Sequence, residues 1–254
     1  MTIDTLLLSL LIAVLIAQLL LLYRSFSATK GQRKIQVQMQ LSVKDEVRGL
    51  FNQFESYQFL RDRLNLRQGM PYTRDWSASP DFLKLIVEHC LEDKPATVVE
   101  CSSGLTTVML ARCCELNGAG EVISLENGAG YAAKTREHVA RYGLQQQSTV
   151  IDAPLQRYAV AGTEYDWYAI EALPDKGINM LVIDGPPGFI QEHSRYPALP
   201  LLFDKLADGC VIFMDDAARP DEKEIVRMWQ AQFPGLVHRY VNTERGCSIL
   251  SINK

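Results

Sequence analysis

Short apolar runs alternate with amphipathic stretches along most of the chain, a pattern that predicts alternating strands and helices. The apolar runs predict strands at residues 97–101, 121–126, 149–152, 179–184, 210–214, 236–241 and 247–252. The stretches between them predict helices at residues 80–91, 106–116, 131–142, 197–207 and 220–232. A βαβ pattern of this kind is typical of a doubly wound α/β sheet, here closed by a hairpin-like pair.

The N-terminal segment has a different pattern, because residues 6–23 are almost continuously apolar and are broken only by Ser9 and Gln18. As a helix they would span about 27 Å, close to the roughly 30 Å of a bilayer core. A secretory signal peptide is the alternative, but it would carry a basic residue before the apolar run, where this chain has Asp4. We therefore predict one uncleaved transmembrane helix within residues 1–23.

Basic residues follow the apolar segment and none precedes it, which predicts the orientation of the anchor. The first of them are Arg24, Lys30, Arg33, Lys34 and Lys44. Because basic residues that flank a span stay on the cytoplasmic side, the globular part is expected in the cytoplasm. The lipid bilayer is then a predicted partner of the N-terminal helix.

Residues 24–69 predict a juxtamembrane linker that leads into a helix. Residues 32–42 alternate apolar and polar positions but have no evident turn or partner strand, so we interpret them as linker. From Val47 to Leu64 the apolar positions follow near-helical spacing. This helix either packs on the domain or pairs with a second copy of the chain through residues 44–66, and the sequence leaves both possibilities open.

Composition excludes some partners. The 254 residues are 47% hydrophobic and 22% charged, and the formal net charge is -4, whereas nucleic-acid-binding domains are usually basic. The six cysteines lie in apolar elements without CxxC spacing. They predict buried free thiols in a reducing compartment rather than a zinc site.

A turn of small residues follows the first strand of the α/β region, between Glu100 and Thr107. Small residues let the backbone approach a ligand, and the following helix offers free N–H groups. A carboxylate such as Glu100 would repel a phosphate but would suit a ligand with a cationic end and a ribose. The turn holds a single glycine, Gly104, where NAD enzymes normally have GxGxxG. These features favour S-adenosylmethionine (SAM) over a dinucleotide.

Acidic residues end each of the first five predicted strands, at Glu100, Glu126, Asp152, Asp184 and the pair Asp215-Asp216. Like charges on one sheet edge repel each other unless a bound cation or hydrogen-bond donors offset the repulsion. Glu126 lies 22 residues after Gly104, a spacing of about 20 residues that places an acid against ribose hydroxyls. The sequence therefore predicts a ligand site at this edge.

Four stretches make the chain resemble the class I SAM-dependent methyltransferases, in particular a bacterial subgroup with a Rossmann-like fold. The first two stretches are residues 70–81 and 99–107, the third is residues 153–155 followed by 166–168, and the fourth is residues 182–188, then 195–202, then 215–216. The resemblance covers roughly residues 70 to 252. It implies a doubly wound sheet of order 3-2-1-4-5-7-6, with strands numbered along the chain, in a methyltransferase domain at residues 70–254. In a bacterium the anchor would lie in the inner membrane.

The resemblance also implies roles for individual residues. Glu100, Ser102 and Gly104 would line the methionine part of the cofactor, Glu126 would bind the ribose, and Asp152 with Ala153 would border the adenine. Thr106 and Asn127 complete the cofactor set. Ser102 stands where the family has its first glycine, and a serine fits there if its φ is negative.

Methyl transfer to oxygen needs a base, or a metal that lowers the pKa of the acceptor. Asp184, near the expected methyl group, and His193 are the candidate acid–base groups, with Asp215 as a third catalytic residue. Asp184, Asp215 and Asp216 resemble the Mg²⁺ ligands of catechol-type O-methyltransferases. Alternatively, the aspartate pair caps the next helix or pairs with Arg219.

These features predict a membrane-anchored, SAM-dependent methyltransferase. The expected acceptor is an oxygen of a glycan, a lipid-linked molecule or a small hydroxylated molecule at the cytoplasmic face. The alternative is a non-catalytic module with a cofactor-binding fold that serves a membrane assembly. An NAD-dependent oxidoreductase is disfavoured by the single glycine of the turn.

Overall fold

The computed structural model describes residues 3–66, 68–73 and 77–252, which form two compact units, residues 1–51 and residues 52–254. Residues 74–76, within the stretch 70–81 that carries part of the family resemblance, lie outside the described residues. The first unit is helical, and the second contains the α/β region.

A single helix, α1, extends over Ile3–Leu64. The linker predicted at residues 32–42 is therefore wrong, because these residues are helical. Their apolar side chains find no partner strand and are exposed, whereas the segment contains no proline that would stop a helix. The helix predicted from Val47 to Leu64 is confirmed as the last part of α1, whose Leu60 and Leu64 are fully buried in the second unit.

Within the described part of the chain, α1 is the one helix that is long and apolar enough to cross a membrane. Its apolar side chains between residues 3 and 26 are all exposed. Length and composition alone make it a candidate span, and a core helix or a signal sequence would meet the same two criteria.

A sheet of seven strands forms the centre of the α/β unit, in the order β3-β2-β1-β6-β7-β9-β8. Its strands are β1 (Thr97–Cys101), β2 (Glu121–Glu126), β3 (Ser148–Asp152), β6 (Ile178–Ile183), β7 (Leu206–Met214), β8 (Leu236–Val241) and β9 (Cys247–Ile252). The first five are parallel, and β9 pairs antiparallel with β7 and β8. The predicted order 3-2-1-4-5-7-6 is confirmed.

Helices cover both faces of the sheet. They are α2 (Pro80–Asp93), α3 (Leu105–Asn117), α4 (Ala129–Tyr142), α5 (Ala198–Leu202) and α6 (Pro220–Gln232). Side chains of α2, α3 and α4 share one core cluster with Val98, Val182 and Phe213. Side chains of α5 and α6 share the other cluster with Val99 and Ile183. Successive residues of a strand thus pack into the cores on opposite faces of the sheet, as the two-residue period of side chains along a strand requires.

Two elements differ from those that the sequence predicts. A hairpin, β4 (Leu155–Val160) and β5 (Thr163–Tyr168), forms a separate two-stranded sheet that we did not predict. Its tight turn is Ala161-Gly162, both with positive φ, the conformation that suits a two-residue hairpin loop. The helix predicted at residues 197–207 ends earlier, because a 3₁₀ turn follows α5 and β7 already begins at Leu206.

Candidate functional site

The turn between β1 and α3 has the small residues and unusual backbone that the sequence pattern indicates. Gly104 has φ 155° and ψ −129°, which only glycine adopts readily, and no atom lies within 4 Å of the place where a Cβ would stand. Ser102 has φ 105°. The condition under which a serine would fit here, a negative φ, is therefore not met, and the serine holds the strained backbone that a glycine would accept.

We expect Ser102→Gly to raise the free energy of unfolding by about 1 kcal/mol. The glycine removes the backbone strain of the folded chain, and this gain exceeds the stability lost because glycine makes the unfolded chain more flexible. Urea denaturation measures this change. Ser102→Ala is the matched control, since it removes the hydroxyl but keeps the Cβ and hence the strain. Equal stability of the glycine and alanine variants would contradict the assignment of strain to this position.

Glu100 lies under this turn in a network of hydroxyl groups. Its Oε2 accepts hydrogen bonds from Thr107 Oγ1 at 2.7 Å and from Ser124 Oγ at 2.6 Å. Thr107 Oγ1 in turn accepts from the Gly104 N–H at 3.0 Å. Burial raises the pKa of Glu100 to about 7 despite these donors. Its Oε1 is buried without a hydrogen-bond partner, so a cationic group of a ligand would find a free acceptor here.

Glu126 links the turn after β1 to the turn after β2. Its Oε2 accepts from the backbone N–H and from the Oγ of Ser103, both at 3.0 Å, and its Oε1 accepts from the Gly128 N–H at 2.9 Å. The carboxylate is therefore fixed by donors from both turns. A carboxylate oxygen has two acceptor positions, so Oε1 keeps one of them for a ribose hydroxyl.

The other predicted cofactor residues lie at the same sheet edge. Ala153 is fully buried and its N–H donates to the Glu126 carbonyl at 2.8 Å, which brings the ends of β2 and β3 together. Asp152 is exposed and pairs with Arg136 at 2.8 Å. Thr106 is buried in the first turn of α3 beside Glu100, and Asn127 follows Glu126 in a half-buried position. The structure thus brings the predicted cofactor set to one edge.

Arg195, to which the sequence analysis assigned no role, lies among the aspartates at the ends of β6 and β7. Its guanidinium is buried, with Nη2 at 2.7 Å from Asp216 Oδ2 and at 3.4 Å from Asp184 Oδ1. Asp216 also pairs with Arg219 at 2.9 Å. Asp184 and Asp216 therefore have guanidinium partners, and the Mg²⁺ site predicted from Asp184, Asp215 and Asp216 is not supported. Pairing with Arg219, the alternative interpretation, is present for Asp216.

Asp215 is different, because neither of its carboxyl oxygens has a hydrogen-bond partner and the residue is fully buried. Burial, with the nearby charges of Asp184 and Asp216, raises its pKa to about 8. Burial also raises the pKa of Asp184 to about 6, although the Arg195 charge opposes this shift. Asp215 is therefore expected to be largely protonated at neutral pH.

These shifts predict a stability that falls as the pH rises. An unfolded aspartate has a pKa near 3.9, so between about pH 4 and pH 8 the folded chain holds a proton at Asp215 that the unfolded chain has released. The stability gained from this proton is complete below pH 4 and is lost as the pH passes 8. Asp215→Asn should reduce the slope of the free energy of unfolding against pH by on the order of 1 kcal/mol per pH unit. It should also stabilise the fold at pH 8.

Urea denaturation between pH 5 and pH 8 measures the effect, with the exposed Asp204→Asn as the control. An Asp215→Asn variant with the wild-type slope would contradict the assignment of the proton to Asp215.

His193 contacts Asp221 rather than the aspartates of this cluster. Its backbone N–H donates to the Asp221 carboxylate at 3.0 Å, and its Nε2 is 3.4 Å from Asp221 Oδ1. Asp221 belongs to the first turn of α6. The imidazole therefore has a carboxylate partner that can orient it, but the structure does not pair it with Asp184 or Asp215.

Sequence reasoning missed Ser103, Thr107, Ser124 and Arg195. The three hydroxyl residues had a weak signal, since each lies in or beside the strand–turn–helix unit of the cofactor turn. Arg195 stands alone before an apolar stretch that begins at Tyr196. Such a lone charge beside apolar residues indicates a buried ion pair, and it could have been matched to the excess of aspartates.

The residues present fit SAM on two observations of the structure. Glu100 Oε1 is a buried acceptor without a partner, which suits the ammonium of the methionine part. The space beside Gly104 is open where a side chain would close it. Glu100 lies under, and Gly104 lies in, the turn whose Ser103 donates to the carboxylate of Glu126.

Comparisons with known proteins agree with this arrangement. Residues 99–217 match a family model described as a methyltransferase domain. None of the curated proteins compared matches the chain in sequence. The match includes Glu100, Gly104, Glu126, Asp152, Asp184 and Asp215, so the candidate site lies inside it.

Solved methyltransferases share the fold at low sequence identity. The O-methyltransferase of Bacillus cereus in complex with SAH is 17% identical, with a TM-score of 0.53 over 78% of this chain and 91% of that chain. The SAH-bound methyltransferase PaMTH1 of Podospora anserina is 14% identical, with a TM-score of 0.55 over 80% and 88%. The O-methyltransferase TomG of Streptomyces achromogenes, in complex with SAM, is 12% identical, with a TM-score of 0.50 over 80% and 89%. The chain therefore has a Rossmann-like α/β methyltransferase fold, and the part of it that matches the methyltransferase domain model holds the candidate site.

Proposed function

We propose that the chain is a SAM-dependent methyltransferase that acts on an oxygen of its acceptor. The observation that carries the proposal is the carboxylate of Glu126, held by Ser103 and Gly128 from two turns at the ligand edge of the sheet. Glu100 would take the cationic end of the cofactor, and Asp152 with Ala153 would border its base. The match of residues 99–217 to a methyltransferase domain supports the same conclusion.

The residues of the chain have to position the acceptor and accept its proton, because bound SAM supplies a methyl group that is already activated. We propose Asp184 and His193 as the candidate proton acceptors. Burial brings the pKa of Asp184 to about 6, and Asp221 orients the imidazole of His193. The pH profile of turnover in His193→Ala distinguishes them, since a role of His193 predicts a loss of rate of about 10²-fold or more.

Binding of the cofactor is the experiment that tests the proposal. Isothermal calorimetry with SAM and with SAH should show binding of each, and a methyl-transfer assay on material recovered with the protein should show turnover. The alternative is a non-catalytic module, which the strained backbone of Ser102 favours because the family has glycine there. Absence of binding heat for both ligands would support the module and contradict the methyltransferase.

We further propose that residues 6–23 anchor the domain in the inner membrane, with the domain and its acceptor at the cytoplasmic face. The exposed apolar side chains of this part of α1 support the proposal, since burial in lipid would remove them from water. The glycan, lipid-linked or small hydroxylated acceptor is chosen because a membrane anchor would hold the domain near such molecules.

The anchor predicts that the protein sediments with membranes and resists carbonate extraction. Its orientation predicts that protease digests the domain in inverted vesicles and leaves it intact in spheroplasts, because only inverted vesicles expose the cytoplasmic face. A variant that lacks residues 1–23 is the control and should become soluble. Digestion in spheroplasts, or a mature chain that starts after residue 27, would contradict the prediction.

A further inference from the structure

Arg195 bridges the ends of β6 and β7 through oxygens of three aspartates. Nη1 donates to the Asp215 carbonyl at 2.7 Å, and Nη2 donates to the Asp184 carbonyl and to Asp216 Oδ2, each at 2.7 Å. Asp184 Oδ1 lies 3.4 Å from Nη2. Only 2% of the residue is exposed. A single guanidinium therefore has four oxygen atoms around it in a buried position between two strands.

Three of these four oxygens surround one atom, Nη2. Two belong to Asp184 and one to Asp216, and oxygens of carboxylates and carbonyls are also the ligands that Mg²⁺ and Ca²⁺ prefer. A guanidinium and a divalent cation cannot share such a position, since they would repel each other and compete for the same lone pairs. The space among these oxygens, which a metal ion would have to occupy, is thus filled by the Arg195 guanidinium.

The side chain of Asp215 does not take part in this oxygen set. Arg195 contacts only its carbonyl, and both carboxyl oxygens have no hydrogen-bond partner. The three carboxylates that the sequence suggested as metal ligands are therefore not assembled around one point. This arrangement disagrees with a metal site made of three aspartate side chains.

Most of the negative charge of the cluster is also offset without a metal. Arg195 lies 3.7 Å from Glu222 Oε1 in addition to its aspartate contacts, and Arg219 pairs with Asp216 and, at 3.6 Å, with Glu222. Two guanidinium groups thus face the carboxylates of Asp184, Asp216 and Glu222. The repulsion among the carboxylates, which would otherwise call for a bound cation, is offset by these two residues.

We propose that Arg195 serves as a built-in cation, in the position where a divalent metal would otherwise bind, and that it holds the acceptor end of the site together without a metal. A corollary is that removal of the Arg195 side chain uncovers a divalent-cation site formed by oxygens of Asp184 and Asp216. The inference rests on the proposed function only in so far as it describes the acceptor end of a methyltransferase site. Metal binding is measured without turnover, so the two proposals can fail separately.

The wild-type protein provides the first test. Its melting temperature and cofactor binding should be the same in EDTA and in Mg²⁺ or Mn²⁺. Metal stabilisation that disappears in Asp216→Asn would overturn the proposal, because it would place a divalent ion among the same oxygens. This arm needs no variant of Arg195 that folds.

The variant Arg195→Ala provides the second test, with Mn²⁺ as the probe. We expect it to bind Mn²⁺ at least tenfold more tightly than the wild type and to melt at a higher temperature with Mn²⁺ than with EDTA.

The matched control is Arg219→Ala, which removes a half-exposed guanidinium from the same cluster and should gain no Mn²⁺ affinity. Adding Asp216→Asn to Arg195→Ala should abolish the gain. A folded Arg195→Ala variant with no more Mn²⁺ affinity than Arg219→Ala would overturn the corollary. If Arg195→Ala folds in neither buffer, the wild-type arm still decides the proposal.

Discussion

Replacing Arg195 by alanine should lower the free energy of unfolding, measured in a metal-free buffer, by about 3–5 kcal/mol. The side chain is 3% exposed, and its loss would leave the buried Asp216 and the half-buried Asp184 without their common partner. Water compensates for this loss less than it does at the surface, because only 4% of the Asp216 side chain and 20% of the Asp184 side chain are exposed. Urea denaturation monitored by circular dichroism measures the change.

Arg219→Ala is the control for this prediction, because Arg219 pairs with the same Asp216 from a side chain that is 53% exposed. Its loss should cost no more than about 1 kcal/mol, the range of exposed ion pairs. Equal losses in the two variants would contradict the prediction, since the effect would then depend on charge rather than on burial.

Replacing Glu126 by alanine should weaken SAM binding at least tenfold. A hydrogen bond to a charged group contributes about 1.5–3 kcal/mol, and about 1.4 kcal/mol corresponds to one factor of ten. The variant would also remove the hydrogen bonds that the N–H groups of Ser103 and Gly128 donate to this carboxylate. The two turns would then no longer be held together by a common acceptor. Calorimetric titration with SAM measures the affinity.

Glu121→Ala is the matched control, since Glu121 is an exposed glutamate at the start of the same strand, away from the ligand edge. It should bind SAM as the wild type does. Glu126→Ala with unchanged affinity and a wild-type melting temperature would remove Glu126 from the cofactor site.

The pattern of apolar residues predicted most of the α/β unit. Short apolar runs, separated by stretches with helical spacing, located all seven strands of the main sheet, and the family resemblance supplied their order. The pattern failed at residues 32–42, where alternation suggested an extended segment but the chain is helical. Alternation stabilises a strand only if a partner strand is present, and none of the described strands pairs with this segment.

The candidate site was predicted in part. The carboxylates of Glu100, Glu126 and Asp184 were identified from their positions after apolar runs, because the ends of parallel strands meet at one edge of a sheet. The hydroxyl partners of Glu100 were not identified. Thr107 and Ser124 lie seven and 24 residues away, and only the folded sheet brings them to the same carboxylate.

By itself the sequence determined which residues form the sheet, which acids lie at its ligand edge and that an excess of negative charge there needs compensation. Only the tertiary structure decided which group supplies the compensating positive charge. Arg195 lies 20 and 21 residues from Asp215 and Asp216, and its partners depend on the crossover from β6 to β7, which no local pattern encodes. The structure also decided the backbone of Ser102, since φ is imposed by the paths of β1 and α3 on either side of the turn. Local spacing determines secondary structure, whereas ion pairs and backbone strain arise from contacts between distant segments.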